Sequence, residues 1–436
     1  MQACLAAGGA FLLFPATAHA YLDPGTGSLL LSALIGIIAT AFFMIKNFFY
    51  KAAGLVYRLR GVAAPARDRN AIVFYSEGRQ YWNTFKTTLE ALDGAGEPAL
   101  YLTSDKNDPG LEHPFSQVQA RYIGQGGRAF AAMNLLEAGV CVMTTPGLDV
   151  LQIRRSRQVR HYAHLVHAPT DISFYRLFSF DYFDSVLCSG PHQIRSLRAL
   201  ERLRGTKPKE LLATGCPYMD VLAGELPGGK NNAQAEHGGE RPWRVLLAPT
   251  WGPNGLLRRF GAGLLEPMLE AGFRVTVRPH PQSRTSEPEL LEELAALFRE
   301  NANLAWDHST SPLPAMLESD VLVSDLSGIV FDYAFILERP VLTVSLRPDQ
   351  RGYEAGDLPW PAWELAVLPS LGAVVAPEEI GKLPETLRRL PAPDEFARRM
   401  AGLRAESLFN YGAAGAVAAR QILEIRDRLR AGEAAA

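Results

Sequence analysis

The sequence predicts an α/β fold with two Rossmann-like lobes, each built on a parallel sheet that helices cover on both faces. From Ala71 onward, short apolar segments alternate with amphipathic helical segments, a pattern typical of strands buried in a parallel sheet. The alternation stops at a stretch rich in glycine and asparagine, residues 223–241, and restarts at Trp243. A chain of 436 residues is also long enough for two domains of ordinary size.

The first lobe is predicted over residues 66–225 and the second over residues 242–392, joined by a flexible linker over residues 226–241. Strand candidates in the first lobe are residues 71–75, 99–103, 140–144, 161–167 and 185–189, with helices over 84–92 and 130–138. Strand candidates in the second lobe are residues 243–248, 273–277, 303–306, 320–324 and 340–344. Residues 393–436 are predicted to be mostly helical, with a break near Asn410, and to brace the lobes.

The N-terminal region predicts attachment to a membrane. Residues 3–14 are an apolar run followed by Ala18-His19-Ala20, which is typical of a secretory signal cleaved before Tyr21. No Lys or Arg precedes that run, so cleavage and retention of residues 1–20 both stay open. Residues 28–45 carry no charge and are long enough to cross a bilayer, so we expect a transmembrane helix within an anchor over residues 21–60.

Charges on either side of the predicted span set its orientation. Asp23 is the charge before the span, and four cations follow it: Lys46, Lys51, Arg58 and Arg60. The positive-inside rule therefore places the rest of the chain in the cytoplasm, as a single-pass protein of the inner (cytoplasmic) membrane. A helical hairpin over residues 1–60 would leave the lobes on the same side.

Composition argues against two classes of function. The formal net charge is −2, from 44 basic and 46 acidic residues, so the chain has no general positive field for nucleic acid. Its four cysteines, Cys4, Cys141, Cys188 and Cys216, are widely spaced and contain no paired CxxC motif. We therefore expect neither a zinc cage nor a disulfide framework.

The most informative segment is residues 320–334, where an apolar strand turns directly into a helix. Asp325, Ser327 and Gly328 fall at the predicted helix N-terminus. Unpaired amides and the positive end of the helix dipole can bind a phosphate there, and glycine allows close approach. The alternative is that Asp325 or Ser327 only caps the helix.

Arg278 and His280 follow a predicted strand within residues 273–283. Ligands bind at that edge of an open α/β sheet. Arg278 can pair with phosphate oxygens, and protonated His280 can donate to a developing phosphate charge. The alternative is that His280 is a surface or packing residue.

Three histidines, His161, His164 and His167, lie in one predicted strand. Because alternate strand residues point to opposite faces, the three cannot converge on one ion without a bend, and no metal site is expected. His167 closes the strand and would face a cleft, where it could take a proton from an acceptor hydroxyl. His161 and His164 are expected to be structural.

Thr250, Gly215 and Asp332 are assigned to the wall of the same cleft. Thr250 lies in residues 246–252 and Gly215 in residues 214–220, and each segment joins a strand end to polar or glycine residues. Either segment could also be an ordinary turn.

Taken in order, these segments resemble the CDP-glycerol glycerophosphotransferases of teichoic acid synthesis, over roughly residues 161–412. That family shows Trp-His-Gly, Gly-x-Pro-x-x-Asp, Ala-Pro-Thr-Trp, Arg-x-His-Pro and Ser/Thr-Asp-x-Ser-Ser motifs, the last followed by a Phe-Asp-Tyr-Ala helix. The corresponding residues here are Val166-His167-Ala168, Gly215-Cys216-Pro217-Tyr218-Met219-Asp220, Ala248-Pro249-Thr250-Trp251, Arg278-Pro279-His280-Pro281, Ser324-Asp325-Leu326-Ser327-Gly328 and Phe331-Asp332-Tyr333-Ala334.

The resemblance implies a GT-B fold and an enzyme that needs no cofactor. His167 would act as base on the acceptor hydroxyl. Arg278, His280, Asp325, Ser327 and Gly328 would hold the pyrophosphate of a CDP-activated polyol donor, His280 with a catalytic role. The acceptor would be a membrane-associated glycan or a lipid-linked precursor.

The motifs also depart from the family pattern. Val166 and Ala168 flank His167 in place of Trp and Gly, and Gly328 replaces the second Ser. These changes bear on the acceptor and the transferred group. Two other functions therefore stay open: a GT-B glycosyltransferase that uses a nucleotide sugar, and an inactive scaffold tethered to the membrane.

Overall fold

The computed structural model describes residue 68 and residues 71–227, 241–309, 311–346, 348, 350–390 and 393–434. All of them lie in one compact unit, Ala64–Ala436. The predicted signal (1–20), the anchor (21–60) with its span (28–45), and most of the linker lie outside the described residues. Within the described ranges, no helix combines the length and the apolar character that crossing a bilayer requires.

The first lobe holds a seven-stranded parallel sheet with the strand order β3-β2-β1-β4-β5-β6-β7. In chain order its elements are β1 (Ile72–Ser76), α1 (Trp82–Gly94), β2 (Ala99–Thr103), β3 (Val118–Tyr122), α2 (Gly127–Asn134), β4 (Ala138–Met143), β5 (Val159–Leu165), β6 (Ser185–Cys188), α3 (Pro191–Arg204), β7 (Glu210–Ala213) and α4 (Pro217–Gly224). This is the Rossmann order with one strand added at an edge.

The second lobe holds a six-stranded parallel sheet with the order β10-β9-β8-β11-β12-β13, again the Rossmann order. Its elements are β8 (Arg244–Leu247), α5 (Leu256–Phe260), α6 (Ala262–Glu270), β9 (Arg274–Val277), α7 (Ser283–Ser286), α8 (Pro288–Leu297), β10 (Leu304–Trp306), α9 (Leu313–Glu318), β11 (Val321–Ser324), α10 (Ile329–Leu337), β12 (Val341–Val344), α11 (Trp363–Val367), β13 (Gly372–Val375) and α12 (Leu383–Arg388). Two helices follow, α13 (Pro393–Ser407) and α14 (Ala414–Ala434).

The predicted fold class of two parallel Rossmann-like sheets is confirmed, with local differences. Three strands were not predicted, namely β3, β7 and β13. All three lie at sheet edges and keep partly exposed side chains, so they lack the continuous apolar run of a central strand. The helix predicted over residues 130–138 ends at Asn134, because Ala138 already begins β4.

The two C-terminal helices pack on different lobes. Side chains of α14, among them Ala418 and Ile422, join the core under α1 of the first lobe. Phe396 and Met400 of α13 join the core around α10 of the second lobe. The Asp220 carboxylate of α4 accepts hydrogen bonds from the amide of Gly412, between the two helices, and from that of Gly415, in the first turn of α14, both at 2.9 Å. The C-terminal helices therefore contact both lobes.

The strand order also locates the place where a ligand can bind. In each sheet the order reverses once, between β1 and β4 in the first lobe and between β8 and β11 in the second. Loops that leave neighbouring strands in opposite directions at such a point open a crevice at the carboxyl edge of the sheet.

Candidate functional site

A cavity of about 950 Å³ lies between the two lobes, at the carboxyl edges of both sheets. Five predicted site residues line it: His167 from the first lobe, and Thr250, Asp325, Ser327 and Gly328 from the second. The loops after β8 and β11, the switch point of the second sheet, supply the last four. The structure thus brings the predicted base and the predicted phosphate turn together around one space, which we call the cleft.

His167 follows β5 by two residues and is half-buried. The Tyr175 hydroxyl lies 3.3 Å from His167 Nδ1, and the Tyr81 ring packs edge-on against the imidazole at 5.1 Å. Burial lowers the pKa of His167 to about 4, so the ring is neutral at pH 7. In the tautomer whose Nδ1–H donates to the Tyr175 hydroxyl, Nε2 keeps a lone pair and can accept a proton.

The turn from β11 into α10 presents helix amides to the cleft. The α10 N-cap is Gly328, and no side chain caps the helix, so neither Asp325 nor Ser327 serves as its cap. The first amides of a helix have no partner within it, and they carry its partial positive charge. A Cβ at Gly328 would meet nothing within 4 Å, which leaves open space beside these amides for an anion.

Asp325 has a different contact set from the one predicted. Its carboxylate accepts hydrogen bonds from the Thr250 amide at 2.8 Å, the Thr250 hydroxyl at 3.2 Å and the Leu256 amide at 3.4 Å. These bonds tie the loop after β8 to the loop after β11. Asp325 therefore holds the shape of the turn, and its negative charge is not suited to direct phosphate contact.

Arg278 and His280 lie outside the lining of the cleft. Arg278 forms an ion pair with Asp307 and donates to the Ser309 hydroxyl at 3.1 Å and the Ser309 carbonyl at 3.0 Å. His280 lies beside the cleft, since the ring of Trp251, a cleft residue, is 6.4 Å from its imidazole. Burial lowers the pKa of His280.

Gly215 and Asp332 also lie outside the cleft lining, whereas Thr250 is part of it. A Cβ at Gly215 would come within 2.4 Å of the Phe409 carbonyl oxygen, so this glycine allows the C-terminal segment to pack closely. The Asp332 carboxyl accepts a hydrogen bond from Tyr218 at 3.2 Å, which joins α10 to α4 of the other lobe. Burial raises the pKa of Asp332 to about 7.

The other two histidines of the β5 segment do not line the cleft. His161 Nε2 is 2.9 Å from the Ser185 hydroxyl. The His164 ring packs edge-on between Phe180 at 4.9 Å and Phe183 at 5.0 Å, and burial holds its pKa well below the usual range.

A clasp between the lobes, which the sequence did not predict, forms part of the cleft wall. Residues 352–355 of the second lobe pair with residues 173–177 of the first. The Leu177 amide donates to the Gly352 carbonyl at 3.1 Å, the Glu354 amide to Tyr175 at 2.9 Å and the Ala355 amide to Ser173 at 2.8 Å. Because Tyr175 belongs to this clasp, the position of His167 depends on contacts from the second lobe.

Buried charges reinforce the clasp. The Arg204 side chain of α3 is paired with Glu354, with Asp181 at 3.0 Å and with Asp357 at 2.8 Å. Glu354 itself is fully buried. Separation of the lobes would leave a buried charge without its partner, which is strongly unfavourable in free energy. This cluster therefore holds the lobes in one arrangement.

Four further charged residues line the cleft and were missed: Asp171, Arg176, Arg351 and Glu364. Glu364 is 2% exposed, and its Oε2 has no hydrogen-bond partner among the described residues. Burial, and then the nearby charge of Asp171, raises the pKa of Glu364 to about 8, so this carboxyl is protonated at pH 7. None of the four belongs to a local motif, and only long-range folding brings them to the cleft.

Residues 176–357 match the family model of CDP-glycerol:poly(glycerophosphate) glycerophosphotransferase. The match covers every predicted site residue except His167. It confirms the resemblance predicted from the motifs, and with it the prediction of a glycerophosphotransferase-type enzyme. No curated protein matches the chain.

The chain is also similar to solved structures. One is the wall teichoic acid polymerase TagF soaked with CDPG, at 15% identity and a TM-score of 0.56, covering 88% of this chain and 98% of that one. Another is a putative UDP-N-acetylglucosamine 2-epimerase from Listeria monocytogenes, at 13% identity and a TM-score of 0.53, covering 81% and 94%. At these identities the similarity is one of fold, and it confirms the GT-B-like arrangement of the two lobes.

Proposed function

We propose that this chain transfers a glycerol-phosphate or related polyol-phosphate group from a CDP-activated donor to a hydroxyl of a cell-envelope polymer or lipid-linked precursor. One observation carries the proposal: the half-buried neutral His167 and the α10 N-terminus line the same cleft from opposite lobes. A base for the acceptor and an anion site for the donor are the two groups such a transfer needs.

The donor is expected on the second-lobe side of the cleft. The amides at Ser327 and Gly328 would bind its diphosphate, in the open space beside Gly328. Arg351 also lines the cleft on that side. Arg278 is engaged by Asp307 and Ser309, so we assign it to holding the loop after β9 in place.

The acceptor hydroxyl is expected at His167 Nε2. Nε2 takes the proton while the hydroxyl oxygen forms a bond to the distal phosphorus of the donor. The bond from that phosphorus to the bridging oxygen breaks, and its electron pair leaves with CMP. Positioning and charge neutralisation supply most of the acceleration of a phosphoryl transfer, so no covalent enzyme intermediate is required.

Neutral groups around the cleft suit an anionic donor. A charged carboxylate at Glu364 would repel the diphosphate, whereas the protonated carboxyl does not, and it can donate a hydrogen bond. His167 can accept a proton for the same reason, because burial keeps it uncharged.

A panel of nucleotide donors tests this function. Purified protein would be heated with CDP-glycerol, CDP-ribitol, UDP-N-acetylglucosamine or a GDP-sugar, each at about 100 times the expected Kd. Binding to the folded state alone then adds about 2.7 kcal/mol of stability. We expect a rise in Tm with the CDP-polyols. A rise with the UDP- or GDP-sugar alone would favour a nucleotide-sugar glycosyltransferase, and no rise with any donor would favour a scaffold without activity.

Attachment to the inner membrane is part of the proposal. It rests on the uncharged run at residues 28–45 and the cations that follow it. In cell fractionation, the full chain should pellet with inner membranes and resist extraction by high salt. Removal of residues 1–60 should release the lobes into the supernatant, and a full chain that is extracted by salt would contradict the span.

A further inference from the structure

A second cavity, of about 330 Å³, opens beside the cleft in the first lobe. Glu77, which follows β1, and Thr145, which follows β4, both line it. It therefore lies at the switch point of the first sheet, the same topological position that the cleft occupies in the second. We call this second cavity the chamber.

The chamber and the cleft are continuous. Five residues line both: Pro146, Phe174, Tyr175, Arg176 and Tyr353. Tyr175 is the residue whose hydroxyl contacts His167 Nδ1. A molecule that extends from the chamber into the cleft therefore lies beside Tyr175.

The charge of the chamber is uneven along its length. Arg176 lines both cavities, is exposed, and forms no ion pair with another described residue. Glu77 lines the chamber but not the cleft. The chamber is therefore positive where it meets the cleft and negative farther away, so an anionic group would lie at the Arg176 end.

The rest of the chamber offers mostly apolar surface. Phe130, Leu151 and Ile153 provide carbon surface. The Thr145 hydroxyl oxygen is buried within the chamber wall and does not face the open space. These side chains can therefore pack against the carbon chain of a ligand.

We propose that the chamber is a subsite for the acceptor, and that Arg176 there binds the phosphodiester adjoining the reactive polyol hydroxyl. A polyol with a phosphate on one side matches the chamber's chemistry: a cation at the cleft end and carbon surface beyond it. This assignment rests on the proposed function, which places the acceptor hydroxyl at His167.

Two small ligands test the assignment by direct binding. Bis(glycerol) phosphate carries a phosphodiester between two glycerol groups, and diglycerol replaces it with an uncharged ether. Calorimetry on the full-length protein with saturating CMP, which fills the donor side, measures the affinity of each. Wild type should bind the diester about tenfold more tightly than diglycerol. A tenfold difference in Kd corresponds to the weakest free energy typical of a hydrogen bond to a charged group.

Variants identify the group responsible. Arg176→Gln should lower the diester affinity about tenfold and leave diglycerol unchanged, which removes the preference. Arg202→Gln, at an exposed arginine of α3 outside both cavities, is the matched control and should change neither affinity.

Three results would overturn the assignment: equal affinity of wild type for the two ligands, no binding of the diester, or an unchanged preference in Arg176→Gln. The proposed function is tested by a separate measurement. If that function is wrong, CDP-glycerol will not raise the Tm of wild type. Arg176→Gln should keep the full CDP-glycerol shift in Tm if Arg176 serves the acceptor alone.

Discussion

The Tyr175 hydroxyl lies 3.3 Å from Nδ1 of His167, and the Tyr175 backbone is itself held by Glu354 of the other lobe. The orientation of the base is therefore coupled to the packing of the lobes. The clasp makes the cleft a preformed site, and it explains why one histidine among the three near β5 is positioned for chemistry.

Replacement of His167 should stop transfer and spare donor binding. General base catalysis contributes about 10² to 10⁴ in rate, so His167→Ala should lower kcat by at least about 100-fold. The rise in Tm with CDP-glycerol should persist, since the donor contacts the other lobe. Tyr175→Phe keeps the ring but loses the hydroxyl, and should lower kcat by about tenfold or less. Full activity in His167→Ala would remove the base assignment.

A carboxylate at Gly328 should stabilise the fold and block the donor. Aspartate is a favoured N-cap, and its charge suits the helix dipole, so Gly328→Asp should raise the free energy of unfolding by about 0.3–1 kcal/mol. The same charge would occupy the space proposed for phosphate, so the Tm shift with CDP-glycerol should disappear.

Gly263→Asp provides the matched control for this variant. Gly263 is exposed in the first turn of α6, a Cβ there meets nothing within 4 Å, and it does not line the cleft. This variant should gain similar stability and keep the full CDP-glycerol shift. Donor binding that survives in Gly328→Asp would place the diphosphate elsewhere.

Glu364 should make stability fall as pH rises. Its pKa is raised from 4.5 to about 8 in the folded state, so the folded protein binds more protons than the unfolded chain between those values. Stability from this group is therefore complete below about pH 4.5 and is lost as pH rises through 8. Glu364→Gln, which stays neutral, should remove this loss.

The measurement is the difference in Tm between wild type and Glu364→Gln from pH 6 to pH 9. We expect the variant to gain at least about 2 °C relative to wild type across that range. His167 contributes equally to the Tm of both proteins, so the difference between them removes its effect. That effect has the opposite sign, because the lowered pKa of His167 gives stability that is lost as pH falls from 6.5 toward 4. A constant difference would show that Glu364 is ionised throughout.

Asp220, part of a family motif, should act on stability and not on chemistry. Its carboxylate accepts hydrogen bonds from the amides of Gly412 and Gly415, which anchor the start of α14 and the residues before it. Asp220→Ala leaves those amides without their charged acceptor and should cost about 2–3 kcal/mol. Urea unfolding measures the loss. Asp220→Asn, which keeps one acceptor oxygen, should lose less, and a fall in kcat without any loss of stability would assign Asp220 to the active site instead.

The sequence predicted what depends on local pattern. Central strands such as β4 and β11 read as apolar runs, and the turn at Ser327 and Gly328 follows from a strand that passes directly into a helix. His167 was predicted from the apolar segment that ends at it, although the strand itself ends two residues earlier, at Leu165. These signals need only neighbouring residues.

Long-range pairing decided the rest. Arg278 was predicted at the phosphate, but Asp307, near the end of β10, engages its guanidinium. The clasp joins Tyr175 to Glu354 across about two-fifths of the chain, and no local pattern marks either residue. Glu364 likewise reaches the cleft only because the second lobe packs on the first.

The fate of the distal phosphate tests the central claim most directly. Full-length protein would be given CDP-glycerol labelled at the phosphorus nearer glycerol, with bacterial membranes as the source of acceptor. We predict that the label passes to the membrane fraction and that unlabelled CMP is released. Neither product should form with the His167→Ala variant. Release of labelled CDP, with the phosphate left on the nucleotide, would contradict transfer of a phosphate-linked group.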